Sequence, residues 1–183
     1  DGEPLWFYPW LTQGEQQRVN VAQPVLVPST ISGVEHDRVL ISSGYSMGMS
    51  LLEVTRREQA WNVEERWHSN ALKSKLSNFV LSDGHVYGLD NGILTCLELA
   101  TGRVVWKQGR LGHGQMLFVE GMLLIQAESG EIVLVAAQPE GYKEHARLAA
   151  LTAKTWNHAA LSGGYLLVRN DREAACYRLP LLP

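Results

Sequence analysis

The chain has 183 residues, of which 45% are apolar and 19% are charged, and this balance excludes a disordered polypeptide and suits one domain with a hydrophobic core. The net charge of −3 gives no global positive field, so we expect no binding to nucleic acid. The longest apolar runs have the length of a strand and fall short of the roughly 20 residues that span a bilayer, so we expect no membrane insertion.

In chain order, the sequence consists of short apolar runs separated by tight turns. A first unit, residues 21–66, contains AQPVLVP, RVLISSG, MSLLEV and QAWNVEE. A second unit, residues 67–110, contains SNFVL, HVYGL, ILTCLEL and RVVWKQG, with turns at Asp83-Gly84, Asn91-Gly92 and Thr101-Gly102. Because such pairs supply the positive φ that hairpin turns require, each unit predicts a meander of four antiparallel strands.

The same order recurs downstream. A third unit, residues 111–151, contains QMLFV, MLLIQA, EIVLVAA and EHARLAAL, and a fourth, residues 152–179, contains only NHAALS, YLLVR and AACYRL. Cys96, Leu134 and Cys176 hold the same place in the third strand, at intervals of 38 and 42 residues. A four-stranded unit that repeats about every 40 residues predicts an all-β chain of β-propeller blades, with a β-sandwich as the alternative.

The fourth unit lacks its outer strand. The N-terminal stretch EPLWFYPW, residues 3–10, is predicted to supply that strand, which gives about four blades in a single domain over residues 1–183. The alternative is completion by a partner or by a missing half, including a homodimer that forms an eight-bladed ring.

Two residue types are predicted to be structural. Trp61 and Trp106 lie 45 residues apart, each after the third turn of its unit, and are expected to pack between neighbouring blades. Cys96 and Cys176 are too few for a disulfide framework and are expected to be buried apolar positions.

The stretch LDNGILTCLELATGRVVW, residues 89–106, resembles the repeat of the pyrroloquinoline quinone (PQQ) family of bacterial β-propellers, in which a blade carries an ALDxxTGxxxW pattern. LELATGRVVW (97–106) follows this pattern, LEVTRREQAW (52–61) follows it with the Gly lost, and residues 77–90, 112–115 and 154–179 also resemble PQQ-like proteins. The resemblance implies the C-terminal half of an eight-bladed propeller, and an exported, periplasmic protein.

The family includes PQQ-dependent dehydrogenases and a lipoprotein of the outer-membrane protein assembly machine, which binds no quinone. The dehydrogenases use an adjacent cysteine pair, calcium ligands and an aspartate base, but this chain has no Cys-Cys pair. Its acids are scattered and are interpreted as solvated turn residues, among them Asp83, Asp90, Glu98, Glu128 and Glu131. Its six histidines lack zinc-site spacing.

These observations favour a non-catalytic binding or scaffolding module that needs no cofactor and no metal, although enzymatic activity stays open. The alternative is part of a quinoprotein alcohol or sugar dehydrogenase that uses PQQ with calcium.

The candidate site is formed by polar residues just ahead of the first strands, where loops of a propeller enter the central channel. They are His68, Asn70, Lys73, Lys75, His113, Gln115, Trp156, Asn157 and His158. We expect a polar mouth that binds a protein or a small polar ligand. The alternative is that these side chains only satisfy backbone groups of the first strands.

Overall fold

The structure, a computed structural model, describes residues 2–11, 19–28, 37–58 and 60–180. Within these ranges there are fifteen strands and no helix, and therefore no helix that could cross a membrane. The strands are β1 (Val25–Val27), β2 (Asp37–Ser43), β3 (Gly48–Arg57), β4 (Ala60–Ser69), β5 (Val80–Ser82), β6 (His85–Asp90), β7 (Ile93–Glu98), β8 (Val104–Arg110), β9 (Gln115–Val119), β10 (Met122–Gln126), β11 (Glu131–Ala136), β12 (Glu144–Ala149), β13 (Ala160–Ser162), β14 (Tyr165–Arg169) and β15 (Ala174–Arg178).

The strands form four antiparallel meanders: a first sheet of β1–β4, a second of β5–β8, a third of β9–β12 and a fourth of β13–β15. The predicted hairpin turns are present. At Asn91-Gly92 the φ angles are 48° and 85°, and at Glu120-Gly121 they are 47° and 77°, as two-residue hairpins require. The prediction of an all-β propeller fold built from blade-like sheets is therefore confirmed.

The sheets stack face to face in chain order. Because successive residues of a strand point to opposite faces, one sheet can pack against a neighbour on each side. In the second sheet, Val86 and Leu97 pack towards the first sheet, whereas Tyr87 and Cys96 pack towards the third. Leu124 of the third sheet belongs to another cluster, shared with the fourth sheet. The hydrophobic core thus consists of three layers between four sheets.

The fourth sheet has one covered face and one exposed face. Leu166 and Val168 of β14 are buried against the third sheet, but Leu167 between them is 54% exposed. Cys176, which pairs with Leu167 in the ladder, is exposed as well. The prediction that Cys176 is buried is therefore wrong, because no described residues cover this face, whereas Cys96 is fully buried.

Residues 3–10 do not form the outer strand of the fourth sheet. They form no strand, and they contact the first sheet instead. The Tyr8 hydroxyl donates to Glu65 Oε2 at 2.7 Å, and the Trp10 ring lies 6.2 Å from that of His68. Tyr8 also packs against the cluster of Val39, Leu52 and Val54 in the first sheet. This segment therefore covers the outer face of the first sheet, and the prediction that it completes the fourth is wrong.

The tryptophans that pack between sheets are Trp67 and Trp106. Trp67 donates its Nε1–H to the carbonyl of Leu99 in the second sheet, at 2.9 Å. Trp106 donates equivalently to Gln138 in the third sheet, also at 2.9 Å. Trp61 instead packs on the outer face of the first sheet, with Arg56 over its ring. The prediction that Trp61 packs between neighbouring sheets is therefore wrong. β4 is longer than β8, and the tryptophan of β4 that lies between sheets is Trp67, six residues after Trp61.

Candidate functional site

Three of the predicted site residues meet where the second, third and fourth sheets approach one another. Gln115, at the start of β9, is 4% exposed. Its Nε2 donates to the carbonyl of Leu76 at 2.6 Å and to that of Trp156 at 3.1 Å. Leu76 precedes the first strand of the second sheet and Trp156 precedes that of the fourth. Gln115 therefore links the lead-in segments of three sheets.

Glu128 holds the other side of this junction. It lies in the turn between β10 and β11, and its Oε2 accepts the backbone N–H of His113 at 2.9 Å. Its Oε1 accepts the indole N–H of Trp156 at 3.0 Å. The interpretation of Glu128 as a solvated turn residue is therefore wrong: it is half-buried and fixes two of the predicted site residues.

Lys154 completes the group that we name the Glu128 cluster: His113, Gln115, Glu128, Lys154 and Trp156. The Lys154 ammonium lies 3.8 Å from the centroid of the Trp156 ring, within the range of a cation–π contact. Trp156 is nevertheless 44% exposed. The cluster thus presents to solvent a large aromatic ring that a carboxylate and an ammonium hold in place.

Beside the cluster lies a shallow, open pocket of about 510 Å³. Glu128 and Lys154 line it together with Arg110, Gly112 and Glu131. Two buried polar atoms of the cluster, His113 Nδ1 and Gln115 Oε1, have no hydrogen-bond partner among the described residues. The junction therefore combines charges of both signs with unused hydrogen-bonding capacity.

The environment of Glu128 lowers the pKa of its carboxyl group. The backbone N–H of His113 is the main cause, burial opposes it, and the Trp156 N–H adds to the lowering. We expect Trp156 fluorescence, taken as the difference between the parent and Trp156→Phe, to change on acidification with a midpoint below the ordinary glutamate value of about 4.3. Glu128→Gln should remove this transition, because the amide does not titrate. A transition that persists in Glu128→Gln would show that another group controls the indole.

Three other predicted residues lie on β4 or in the segment between β4 and β5. His68, on β4, has its Nδ1 2.9 Å from Ser50 Oγ and its Nε2 3.4 Å from Asn70 Oδ1. Lys75 lies over the Tyr45 ring at 5.2 Å. These contacts connect neighbouring strands and loops, and none of them joins the Glu128 cluster.

Lys73 is engaged by a buried carboxylate. Asp90, at the end of β6, is 2% exposed and lies 2.8 Å from Lys73 Nζ. It also accepts the backbone N–H of Lys73 at 3.0 Å, and it pairs with Lys107 of β8. The interpretation of Asp90 as a solvated turn residue is therefore wrong, and Lys73 is bound within the fold. Asn157 is half-buried and His158 is exposed in the segment after Trp156.

Asp90 and Glu128 share a structural role. Each lies at or just after the end of the second strand of its sheet and accepts a backbone N–H from the segment that leads into the first strand, at Lys73 and His113 respectively. Asn170 of the fourth sheet contacts its own lead-in segment in the reverse sense, donating to the carbonyl of Ala153 at 3.5 Å. The repeat thus explains Asp90, Glu128 and Asn170 as hydrogen-bond partners of backbone groups in the lead-in segments. The exposed side chains of Trp156 and Lys154 have no such role for the backbone.

The residues do not fit the site that PQQ with calcium would need. The sequence has no adjacent cysteine pair, and its two cysteines are both free thiols, one buried and one exposed. Within the described ranges, no group of three or more His, Cys, Asp or Glu side chains lies close enough together to hold a metal ion. A calcium site needs six to eight converging oxygens.

Comparison with models of protein families gives a match. The family model described as outer membrane protein assembly factor BamB matches residues 1–108, which is more than half of the 183-residue chain and extends from the first sheet into β8 of the second. None of the curated proteins matches. The repeat pattern, the four blade-like sheets and this match agree, and the chain therefore belongs to the family of PQQ-like β-propeller proteins that the BamB model describes.

Proposed function

We propose that the chain is a non-catalytic binding module of an exported protein that acts in outer-membrane protein assembly, and that the Glu128 cluster is its contact with a protein partner. The observation that carries this proposal is the geometry of Trp156. Its ring is 44% exposed, yet Glu128 fixes its N–H and Lys154 lies over its face.

An aromatic side chain of this kind suits partner recognition. Tryptophan is enriched among the residues that dominate binding energy at interfaces, because it offers a large apolar area together with one hydrogen-bond donor. Here the ring is already ordered by its neighbours, so binding costs little side-chain entropy. The surrounding charges of Glu128 and Lys154 form a polar rim, as interfaces require.

The family match supports the assembly role over the dehydrogenase alternative. The BamB description concerns assembly of outer membrane proteins, and a protein of that process resides in the periplasm, which is the compartment we propose for this chain. The dehydrogenase alternative needs a cofactor site that the described residues do not supply.

The test is binding to the rest of the assembly machine. We expect Trp156→Ala to weaken binding of the chain to a purified outer-membrane protein assembly complex that lacks this subunit. The dissociation constant, measured by biolayer interferometry, should rise about tenfold or more, as is usual for a central aromatic contact. Thermal unfolding should change little, because the ring is half exposed.

The matched control is Trp6→Ala. Trp6 is 37% exposed but lies in the N-terminal segment, away from the cluster, so its loss should leave the dissociation constant unchanged. Equal binding by the parent and the folded Trp156→Ala variant would overturn the assignment of the contact. No measurable binding by the parent would overturn the assembly role itself.

A further inference from the structure

The segments that lead into the first strands of the second, third and fourth sheets are basic. They comprise residues 70–79, 111–114 and 150–159. They contain no Asp or Glu, and their titratable side chains are Lys73, Lys75, His113, Lys154 and His158. The hairpin loops at the opposite end of the second and third sheets contain acids as well as bases: Asp83, Arg103, Glu120, Glu140 and Lys143. The lead-in segments thus form a basic end of a chain whose net charge is −3.

Both carboxylates that line the open pocket of about 510 Å³ have partners of their own. Glu128 Oε2 accepts the backbone N–H of His113 at 2.9 Å, and its Oε1 accepts the indole N–H of Trp156 at 3.0 Å. Glu131 Oε2 lies 3.0 Å from Arg147 Nη1. Neither carboxylate therefore depends on a cation of the pocket to stabilise its charge.

The two cations that line the same pocket, Arg110 and Lys154, have no carboxylate partner. Arg110 is exposed at the end of β8, and neither side chain forms an ion pair within the ranges that the structure describes. Lys154 Nζ lies 3.8 Å from the centroid of the Trp156 ring, and an ammonium group has three donors, so this contact leaves donors for another acceptor. A guanidinium and an ammonium with unused donors suit an anionic oxygen group.

Backbone hydrogen bonds hold both cations beside the same turn. The Glu128 N–H donates to the carbonyl of Leu111, next to Arg110, at 2.9 Å. The Glu128 carbonyl accepts the N–H of Thr155, next to Lys154, at 3.0 Å. The pocket is thus formed before any ligand arrives, and binding requires little ordering of the backbone.

We propose that this pocket binds an acidic side chain of the partner protein, with its carboxylate between Arg110 and Lys154 and a neighbouring apolar side chain on Trp156. The inference rests on the proposed function, and it names the chemistry of the partner. A single acidic side chain suits the pocket better than an anionic membrane surface does. Glu128 and Glu131 would repel a continuous layer of phosphate groups, whereas one carboxylate can lie beside the cations.

The first test uses a peptide, because it does not need the assembly complex. The peptide Gly-Asp-Leu-Asp-Gly carries a dye of no net charge, and a matched peptide has asparagine in place of each aspartate. We expect fluorescence polarisation to detect binding of the acidic peptide to the parent chain. The asparagine peptide should bind about tenfold more weakly, since it cannot form charge-assisted hydrogen bonds. Raising NaCl from about 50 mM to about 300 mM should weaken binding of the acidic peptide alone.

Substitutions assign this effect to the pocket. Arg110→Gln and Lys154→Gln should each weaken binding of the acidic peptide about fivefold and reduce its dependence on salt, whereas Lys154→Arg, which keeps the charge, should retain the parent affinity. The matched control is Lys143→Gln, which removes the same charge from an exposed lysine at the opposite end of the third sheet and should leave binding unchanged. Trp156→Ala should weaken both peptides by the same factor, because it removes the contact with leucine.

The outcomes separate this inference from the proposed function. Equal binding of the two peptides, or no binding of the acidic peptide at millimolar concentration, would overturn the acidic partner. So would an assembly complex that Trp156→Ala binds weakly but that Arg110→Gln and Lys154→Gln bind as the parent does, and the proposed function would then stand. Binding of the acidic peptide without binding of the complex would support the pocket and overturn the assembly role. Binding to phosphatidylglycerol vesicles that Arg110→Gln abolishes would assign the pocket to a lipid phosphate and overturn the protein ligand.

Discussion

Asp90→Ala should lower the free energy of unfolding by about 3 kcal/mol, the low end of the range for breaking a buried ion pair. Asp90 is 2% exposed and joins Lys73, ahead of the inner strand, to Lys107 on the outer strand of the second sheet. Its removal leaves two ammonium groups and the Lys73 N–H without their acceptor. The low end applies because the Lys107 side chain is 36% exposed and regains some hydration.

Urea denaturation measures this loss, with Glu140→Ala as a control because Glu140 is exposed. A difference below about 1 kcal/mol between the two variants would show that the pair is no stronger than a surface ion pair.

The same carboxylate should make stability depend on pH. Burial alone would raise the pKa of Asp90, but hydrogen bonds from Lys107 and Lys73 outweigh it, and the net shift is downward. Because the folded pKa lies below the unfolded value of about 3.9, the contribution is fully present above that value. It is lost as pH falls through the folded pKa. Asp90→Ala should therefore flatten the acid limb of the stability curve.

Gly114→Ala should cost about 3 kcal/mol through steric overlap alone. A Cβ at Gly114 would lie 2.1 Å from the carbonyl oxygen of Gln126, and both partners belong to backbone that the third sheet fixes. The residue also stands between His113 and Gln115, so the displacement should disturb the Glu128 cluster and weaken partner binding as well.

Gly121→Ala is the informative comparison for Gly114→Ala. A Cβ at Gly121 meets nothing within 4 Å, but its φ of 77° disfavours an L side chain, so this variant should lose only about 1 kcal/mol. Chemical denaturation of both variants separates the two costs. Equal losses in the free energy of unfolding would mean that the backbone near Gln126 shifts to make room for the Cβ at little cost.

Much of the fold could be predicted from the sequence because its signals are local. Hairpin turns depend on pairs such as Asn91-Gly92, and alternation within a strand reports which face is buried. The equivalence of Cys96, Leu134 and Cys176 is confirmed, since each pairs with the third residue of the preceding strand: Tyr87, Leu124 and Leu167.

The features that could not be predicted from the sequence depend on the lengths of the strands and on which sheets are neighbours. The extra residues of β4 moved the inter-sheet position from Trp61 to Trp67, and no turn signal marks this change. Burial of Cys176 requires a following sheet, so its repeat position alone could not decide it.

Glu128 and Asp90 were missed for a related reason. An acid at a turn is usually solvated, and only the folded chain brings the lead-in segment of the same sheet back against it. A usable signal exists in the repeat, because each carboxylate lies at or just after the end of the second strand and is 15 or 17 residues after the backbone N–H that it accepts.

The uncovered face of the fourth sheet gives the chain a pair of chemical reporters. Cys176 lies on that face, open to an alkylating reagent, while burial raises the pKa of the Cys96 thiol to about 11 and suppresses its thiolate. Modification of Cys176 therefore measures whether anything covers the end of the stack, and modification of Cys96 measures opening between the second and third sheets. Chemical footprinting can thus report on both the surface and the core of the chain with its native cysteines.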